Sequence, residues 1–287
     1  MIPAVVEPAE PAARRGPAHA LRALRAITGR ELIKFAHQSG RLISALVRPL
    51  LWLAVFAAGF RNVFGVAIVA PYDTYVTYDT YIAPGLVGMV LLFNGMQSSL
   101  AMVYDREMGL MRLLLTAPLP RWWLLFAKLC ATALLSVLQV IAFVIVAALL
   151  GTVLPYTPAE LAHGIVATIA AALMLAALGL LLSVYVKQLE NFAGTMNFVI
   201  FPMYFLSTAL YPLWKLEESG ATWVWYAARF NPFTHAVEWI RFALYGKDPG
   251  VAPYVVIATL ALCFLLACWG YDPQRGFGGL TKRGGPP

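Results

Sequence analysis

Six apolar blocks, each near 20 residues or longer, govern what this 287-residue chain can fold into. A helix needs about 20 residues to cross the roughly 30 Å hydrocarbon layer of a bilayer. The blocks place spanning segments at about Leu42–Phe60, Tyr81–Val103, Trp123–Leu150, Glu160–Val186, Phe192–Leu213 and Val251–Trp269. The third and fourth are long for one crossing and predict tilt or extension past the bilayer. Charged residues make up only 12% of the chain, where a soluble domain carries about a quarter. The expected class is an all-α integral membrane protein with six transmembrane helices.

The flanks of the blocks carry topology information. The formal net charge of +7 comes from basic residues scattered through the loops rather than gathered on one stripe, which points away from nucleic acid. With the N-terminus inside, one side holds Arg14, Arg15, Arg22, Arg25, Arg30, Lys34, Arg41, Arg106, Arg112, Arg121, Lys128, Lys187, Arg275, Lys282 and Arg283. The other holds Arg61, Lys215, Arg229, Arg241 and Lys247. This asymmetry predicts cytoplasmic N- and C-termini. The first forty residues lack the apolar core of a cleavable signal, so the first span is expected to direct insertion. Cys130, Cys263 and Cys268 all fall inside apolar blocks, where they read as small hydrophobes.

Outside the six-helix domain (42–270), residues 1–19 form a Pro- and Arg-containing leader and 271–287 a tail. Between 20 and 41, Leu21, Leu24, Ile27, Leu32 and Phe35 share one half of a helical wheel; Arg22, Arg25, Arg30, Lys34 and Arg41 share the other. That pattern predicts an amphipathic interfacial helix seated among lipid headgroups, with a solvated helix on a partner as the alternative. Tyr72, Tyr75, Tyr78 and Tyr81 suggest an aromatic belt on the opposite side. Residues 214–250, with Trp214, Trp223, Trp225 and Trp239, predict one or two short external interfacial helices before the last span.

Segment 104–121 joins the second and third spans. Asp105, Arg106 and Glu107 lead, Gly109 follows, Arg112 and Leu113 open a Leu-rich run, and Pro118 and Pro120 precede Arg121. The prolines stop a helix and fix the return of the chain to the membrane. A short apolar-faced helix held below the bilayer is a docking element for a soluble partner; an ordinary interfacial loop explains the composition equally well. Pro202–Pro212 and the run from Asn231 and Pro232 through Glu238 to Arg241 are the other distinctive stretches. Together the three resemble, in order and spacing, the coupling region, fifth-span motif and external helix of permease subunits of the type-2 ABC exporter family. The chain departs from that pattern at Gly109-Leu110-Met111-Arg112, where the family usually has Gly-Thr-x-Glu, and at Thr208, where it has Gly.

The resemblance implies a pair of permeases, expected here as a homodimer, working with two copies of an ABC ATPase subunit. Substrate would leave the cytoplasm between the permeases, in the inner membrane of a bacterium. Asp105, Arg106, Glu107, Gly109, Arg112, Leu113, Pro118 and Arg121 would couple to the ATPase; Asn231, Pro232, Glu238 and Arg241 would form an external helix or gate. ATP and magnesium would sit on the partner, with no cofactor on this chain, since a Gly-x-x-x-x-Gly-Lys-Ser/Thr phosphate loop is absent from the sequence.

Polar residues inside the spans are costly and therefore informative. Asn94, Gln97, Ser98 and Ser99, with Gln139 and Asn197, either line a path or bond helices together. Arg48, Lys128 and Lys187 lie toward span ends and are expected to snorkel to the headgroups. Glu238 and Arg241, three apart, read as an ion pair or gate element. The isolated His163 and His235 have no metal-ligand spacing. A membrane-embedded lipid-modifying enzyme would require acid, base or metal ligands at one depth. An ion-driven secondary transporter would require inverted repeats and charged, broken helices at the midplane. The sequence carries neither pattern.

Overall fold

The computed structural model describes residues 17–37, 39–60, 65–69, 73–108, 120–149, 157–186 and 189–271. Within them the chain forms α1 (Pro17–Ala36), α2 (Ser39–Phe60), β1 (Gly65–Val69), β2 (Asp73–Thr77), α3 (Tyr78–Glu107), α4 (Arg121–Leu149) and α5 (Pro158–Tyr185). There follow α6 (Leu189–Phe205), α7 (Leu213–Glu218), α8 (Thr222–Phe230), α9 (Pro232–Leu244) and α10 (Ala252–Gly270).

Helices stand at all six expected span positions, and among the described residues α3 from Thr80, α4, α5 and α10 are long and apolar enough to cross a membrane. α2 is a 22-residue helix with Pro49 inside it, and its described side chains include the apolar stretch Leu46–Val55. In α6, Pro202 precedes the end at Phe205, and residues 206–211 continue as turns rather than helix. The expected fifth span to Leu213 is therefore a 17-residue helix followed by a non-helical segment.

One addition to the all-α expectation is an antiparallel hairpin, β1 to β2, with Gly65 opposite Thr77. It leads directly into α3. Tyr78 and Tyr81 do not form a belt as expected: Tyr81 is fully buried, and both hydroxyls bond to backbone across the bundle. Instead of one or two external helices there are three, α7 to α9.

α5 is the central post, packed against α3, α4, α9 and α10. Its start is fixed by a capping box. Glu160 N donates to Thr157 Oγ1 at 3.3 Å, Thr157 N donates to Glu160 Oε2 at 2.7 Å, and Pro158 takes the first turn. In lipid the hydrophobic effect does little to bring apolar helices together, so close backbone approach decides packing. Small residues supply it. A Cβ on Gly95 would lie 2.9 Å from the Leu175 carbonyl oxygen, and one on Gly179 would lie 2.5 Å from Ser99 Oγ. Around this crossing Ala171, Ala172, Ala176 and Ala177 are buried. α2 packs on α3 and α4, α6 packs on α3, and α1 lies along α4.

Candidate functional site

The bundle has two distinct ends. At the terminal end, where α1 lies against the start of α4, the last turn of α3 delivers Asp105 into the protein with 1% of its side chain exposed. Three cations surround it. Lys128 Nζ of α4 donates to Oδ2 at 3.1 Å, Lys34 Nζ of α1 donates to Oδ1 at 3.3 Å, and Arg30 Nη2 lies 3.8 Å from Oδ2. Lys128 also pairs with Glu31 Oε1 at 3.7 Å. Lys128 therefore does not snorkel as expected. It is buried, and a buried ammonium requires carboxylate partners to offset its desolvation. Two cations of α1 reach toward the same carboxylate, Lys34 half-buried and Arg30 from an exposed position.

The next residue extends the lock. Arg106 Nη1 donates to the Ser183 carbonyl at 3.0 Å and Nη2 to the Val186 carbonyl at 2.7 Å, closing the last turn of α5. Trp123 Nε1 donates to the Ala20 carbonyl of α1 at 3.0 Å. Segment 104–121 thus leaves the bundle from a point tied to α1, α4 and α5 together. Glu107 and Arg121 are exposed at its margins. Gly109, Arg112, Leu113 and Pro118 lie outside the described residues, as does Lys187.

Above the lock a small cavity of about 20 Å³ opens between α1, α3 and α4, lined in part by Glu31, Lys34, Ser98, Lys128 and Thr132. Deeper still, Asn94 Nδ2 donates to Ser136 Oγ at 2.6 Å, and Ser136 Oγ donates to the Thr132 carbonyl at 2.9 Å. Asn94 is thus an interhelical bond. Gln139 is fully buried, and neither its Oε1 nor its Nε2 has a partner. Gln97 is half-buried, whereas Asn197 is exposed on α6 beside Phe198 and one turn from Phe201. Arg48 places its guanidinium 3.8 Å from the centroid of the Phe93 ring, a cation–π contact within the protein rather than the expected snorkel.

The far end is built on backbone carbonyls. Asn231 caps α9 by accepting from Phe233 N at 3.0 Å, and its Nδ2 donates to the Met203 and Leu206 carbonyls at 2.8 and 2.7 Å. Pro232 occupies the first helical turn, where its missing N–H costs nothing. Tyr81 Oη donates to the Thr208 carbonyl at 3.1 Å, and Tyr78 Oη to the Leu210 carbonyl at 2.9 Å. Arg241 Nη2 also donates to the Thr208 carbonyl, at 2.8 Å, and its guanidinium lies 4.0 Å from the centroid of the Tyr81 ring. Among the described residues no ion pair joins Glu238 to Arg241, which sets aside one of the two readings their spacing offered. Burial pushes the Glu238 carboxyl above the ordinary carboxylate range, against the opposing pull of Arg241. His235 Nε2 bonds to the Arg229 carbonyl at 2.9 Å, and burial holds its ring below the usual histidine value.

Among the described residues no group of three His, Cys, Asp or Glu side chains is placed to hold a metal. Sequence reasoning missed the partners of Asp105. The available signal was the charge count: Lys128 inside an apolar block needs a carboxylate, and Asp105 is the acidic residue at the matching depth of the neighbouring span.

Long apolar helices, interhelical polar bonds and a charge lock at one end define a multi-pass membrane protein. Comparison with known proteins narrows that class. The ABC-2 type transporter family matches residues 22–245, and the chain belongs to this family as a transport permease. It is similar to ycf38 proteins, which carry provisional names as transport permeases. Identity is 26% with that of Porphyra purpurea, over 79% of this chain and 76% of the relative. It is 25% with that of Pyropia yezoensis, over 77% and 74%. With that of Cyanophora paradoxa it is 28%, over 70% and 67%.

Proposed function

We propose that this permease is the membrane-spanning subunit of an ATP-driven exporter, paired with a second copy of itself and driven by two copies of a separate ABC ATPase. The observation that carries the reading is the lock at Asp105 and Arg106. A force applied to segment 104–121 from outside the membrane passes through one buried carboxylate and one guanidinium into α1, α4 and α5 at once. A freely hinged loop would dissipate that force. In this reading Glu107, Gly109, Arg112, Leu113, Pro118 and Arg121 belong to the surface that meets the ATPase, and Asp105 acts from inside the permease. ATP and its magnesium stay on the partner.

α2 and α6 complete six crossings, with both termini cytoplasmic, as the distribution of basic residues favours. In a bacterium the site would be the inner membrane. Asn197 supports a path between two copies, because an exposed amide along a spanning helix is costly against lipid and suited to a hydrated path or a second copy. Gln97 and Ser98 sit on the inner half of α3, Ser98 lining the cavity between α1, α3 and α4.

The test is affinity purification of the permease from its native membrane. The complex is expected to contain an ABC ATPase at one copy per permease. Replacing residues 109–118 with a Gly-Ser linker of equal length should remove the ATPase while the permease still folds. Undiminished ATPase recovery with that variant would refute the coupling role.

A further inference from the structure

At the far end, Arg241 does not use the charge placed to neutralise it. Glu238 and Arg241 stand three residues apart on α9, the spacing at which opposite charges pair on a helix. The guanidinium, 2% exposed, is spent instead on the Thr208 carbonyl and the Tyr81 ring. Its Nε is buried without a partner, as is the Tyr204 hydroxyl. A buried cation held by one carbonyl and one ring, with no ion pair to the carboxylate three residues away, is only partly compensated. Glu238, which bonds to the Thr208 side chain, offers it a second partner on the same helix.

What Arg241 holds is the segment following α6. Residues 206–211 are turns, and they are bound mainly through their carbonyl oxygens. Tyr81 and Arg241 share that of Thr208, Tyr78 takes that of Leu210, and Asn231 takes that of Leu206. Ala209 seats directly on Gly85 of α3, where a Cβ would come within 2.4 Å of the Ala209 carbonyl oxygen. Most of the donors sit on α3 and α9, so the segment can leave as a unit and lose these bonds together. Departure strands the Arg241 guanidinium, and the nearest anionic group on its own helix is Glu238.

We infer that Arg241 is an exchange latch: it closes the far end by holding the Thr208 carbonyl, and it turns to Glu238 when segment 206–211 withdraws. The Glu238–Arg241 pair then stabilises the released state, so two discrete arrangements replace a continuous loosening. This inference rests on the permease reading, in which the far end must open to discharge cargo.

The experiment uses the full permease with its ATPase in nanodiscs, with Cys130, Cys263 and Cys268 replaced. Spin labels at the exposed Glu217 and Tyr254 report the position of the segment beyond α6 by pulsed electron–electron distance measurement. The wild type should show one distance without nucleotide and a second population when ATP and vanadate trap the complex. Glu238→Gln, nearly isosteric, should leave the first distance unchanged and cut the second population about fivefold. Tyr81→Phe, which removes one of the two donors to Thr208, should raise the released population without nucleotide. That gain should shrink in the Tyr81→Phe, Glu238→Gln double variant. Wild-type populations in Glu238→Gln would overturn the latch while leaving the permease reading intact, provided the wild type still shifts with ATP. A wild-type complex that neither hydrolyses ATP nor shifts would remove both.

Discussion

Replacing Asp105 with Asn tests the terminal lock where its energetics are most exposed. The carboxylate faces Lys128 at 3.1 Å, Lys34 at 3.3 Å and Arg30 at 3.8 Å. Breaking a buried ion pair costs about 3–5 kcal/mol, because the surviving charge is left without compensation. Here the penalty is uneven. Lys34 and Arg30 are 30% and 41% exposed and can be rehydrated. Lys128 is 10% exposed and keeps only Glu31, at 3.7 Å. The loss should therefore fall at or just below the lower limit of that range, about 2–3 kcal/mol. Lys128→Met leaves Asp105 its two α1 partners and should cost less, about 1–2 kcal/mol. Because most of the Asp105→Asn penalty is a stranded Lys128, the double variant should cost less than the sum of the singles by about 1–2 kcal/mol. Equilibrium unfolding in mixed micelles, followed by tryptophan fluorescence, measures all three. A loss under about 1 kcal/mol for Asp105→Asn, or additive singles, would refute the reasoning.

Three further outcomes follow from the packing. Gly179→Ala places a Cβ 2.5 Å from Ser99 Oγ and 2.7 Å from the Gly95 carbonyl oxygen, so α3 and α5 must separate; the same unfolding assay should register a loss of about 1–3 kcal/mol. Asn231→Ala deletes the α9 cap and both bonds to the end of α6, and should cost about 2–3 kcal/mol and raise hydrogen exchange across 203–208. His235 is held neutral by burial, with Nε2 donating to the Arg229 carbonyl and Nδ1 buried without a partner. A histidine whose folded pKa is depressed binds fewer protons folded than unfolded, so stability falls as pH drops below the ordinary value of about 6.5. His235→Gln should remove that acid-sensitive increment between the unfolded and folded pKa values, measured as the difference from wild type at each pH. An identical pH profile would exclude His235 as its source.

What was legible in the sequence was whatever depends on one helix at a time. Block length and charge flanks located helices at all six span positions, and the third span, expected from Trp123, begins two residues earlier at Arg121. Contacts between helices were not legible. Nothing in a wheel diagram says that Lys34 and Arg30, on the basic half of α1, turn toward Asp105, because the attraction comes from another helix. The same holds for Tyr81, whose hydroxyl finds its acceptor 127 residues away. Spacing also misled at Glu238 and Arg241. A helical pair at three residues is worth only about 0.2–0.5 kcal/mol, and Arg241 donates instead to the Thr208 carbonyl beyond the end of α6. Asn94 and Asn197 look alike in sequence and do different things. One bonds to a neighbouring helix, and the other is exposed on α6.

The central claim is that two copies of this chain enclose a path that an ATPase partner reshapes. A single spin label at Asn197, in the cysteine-replaced permease reconstituted with its ATPase, measures it most directly. The account predicts a defined distance between the two labels that changes when ATP and vanadate trap the complex. Absence of any distance between copies, or a distance indifferent to ATP, would contradict it.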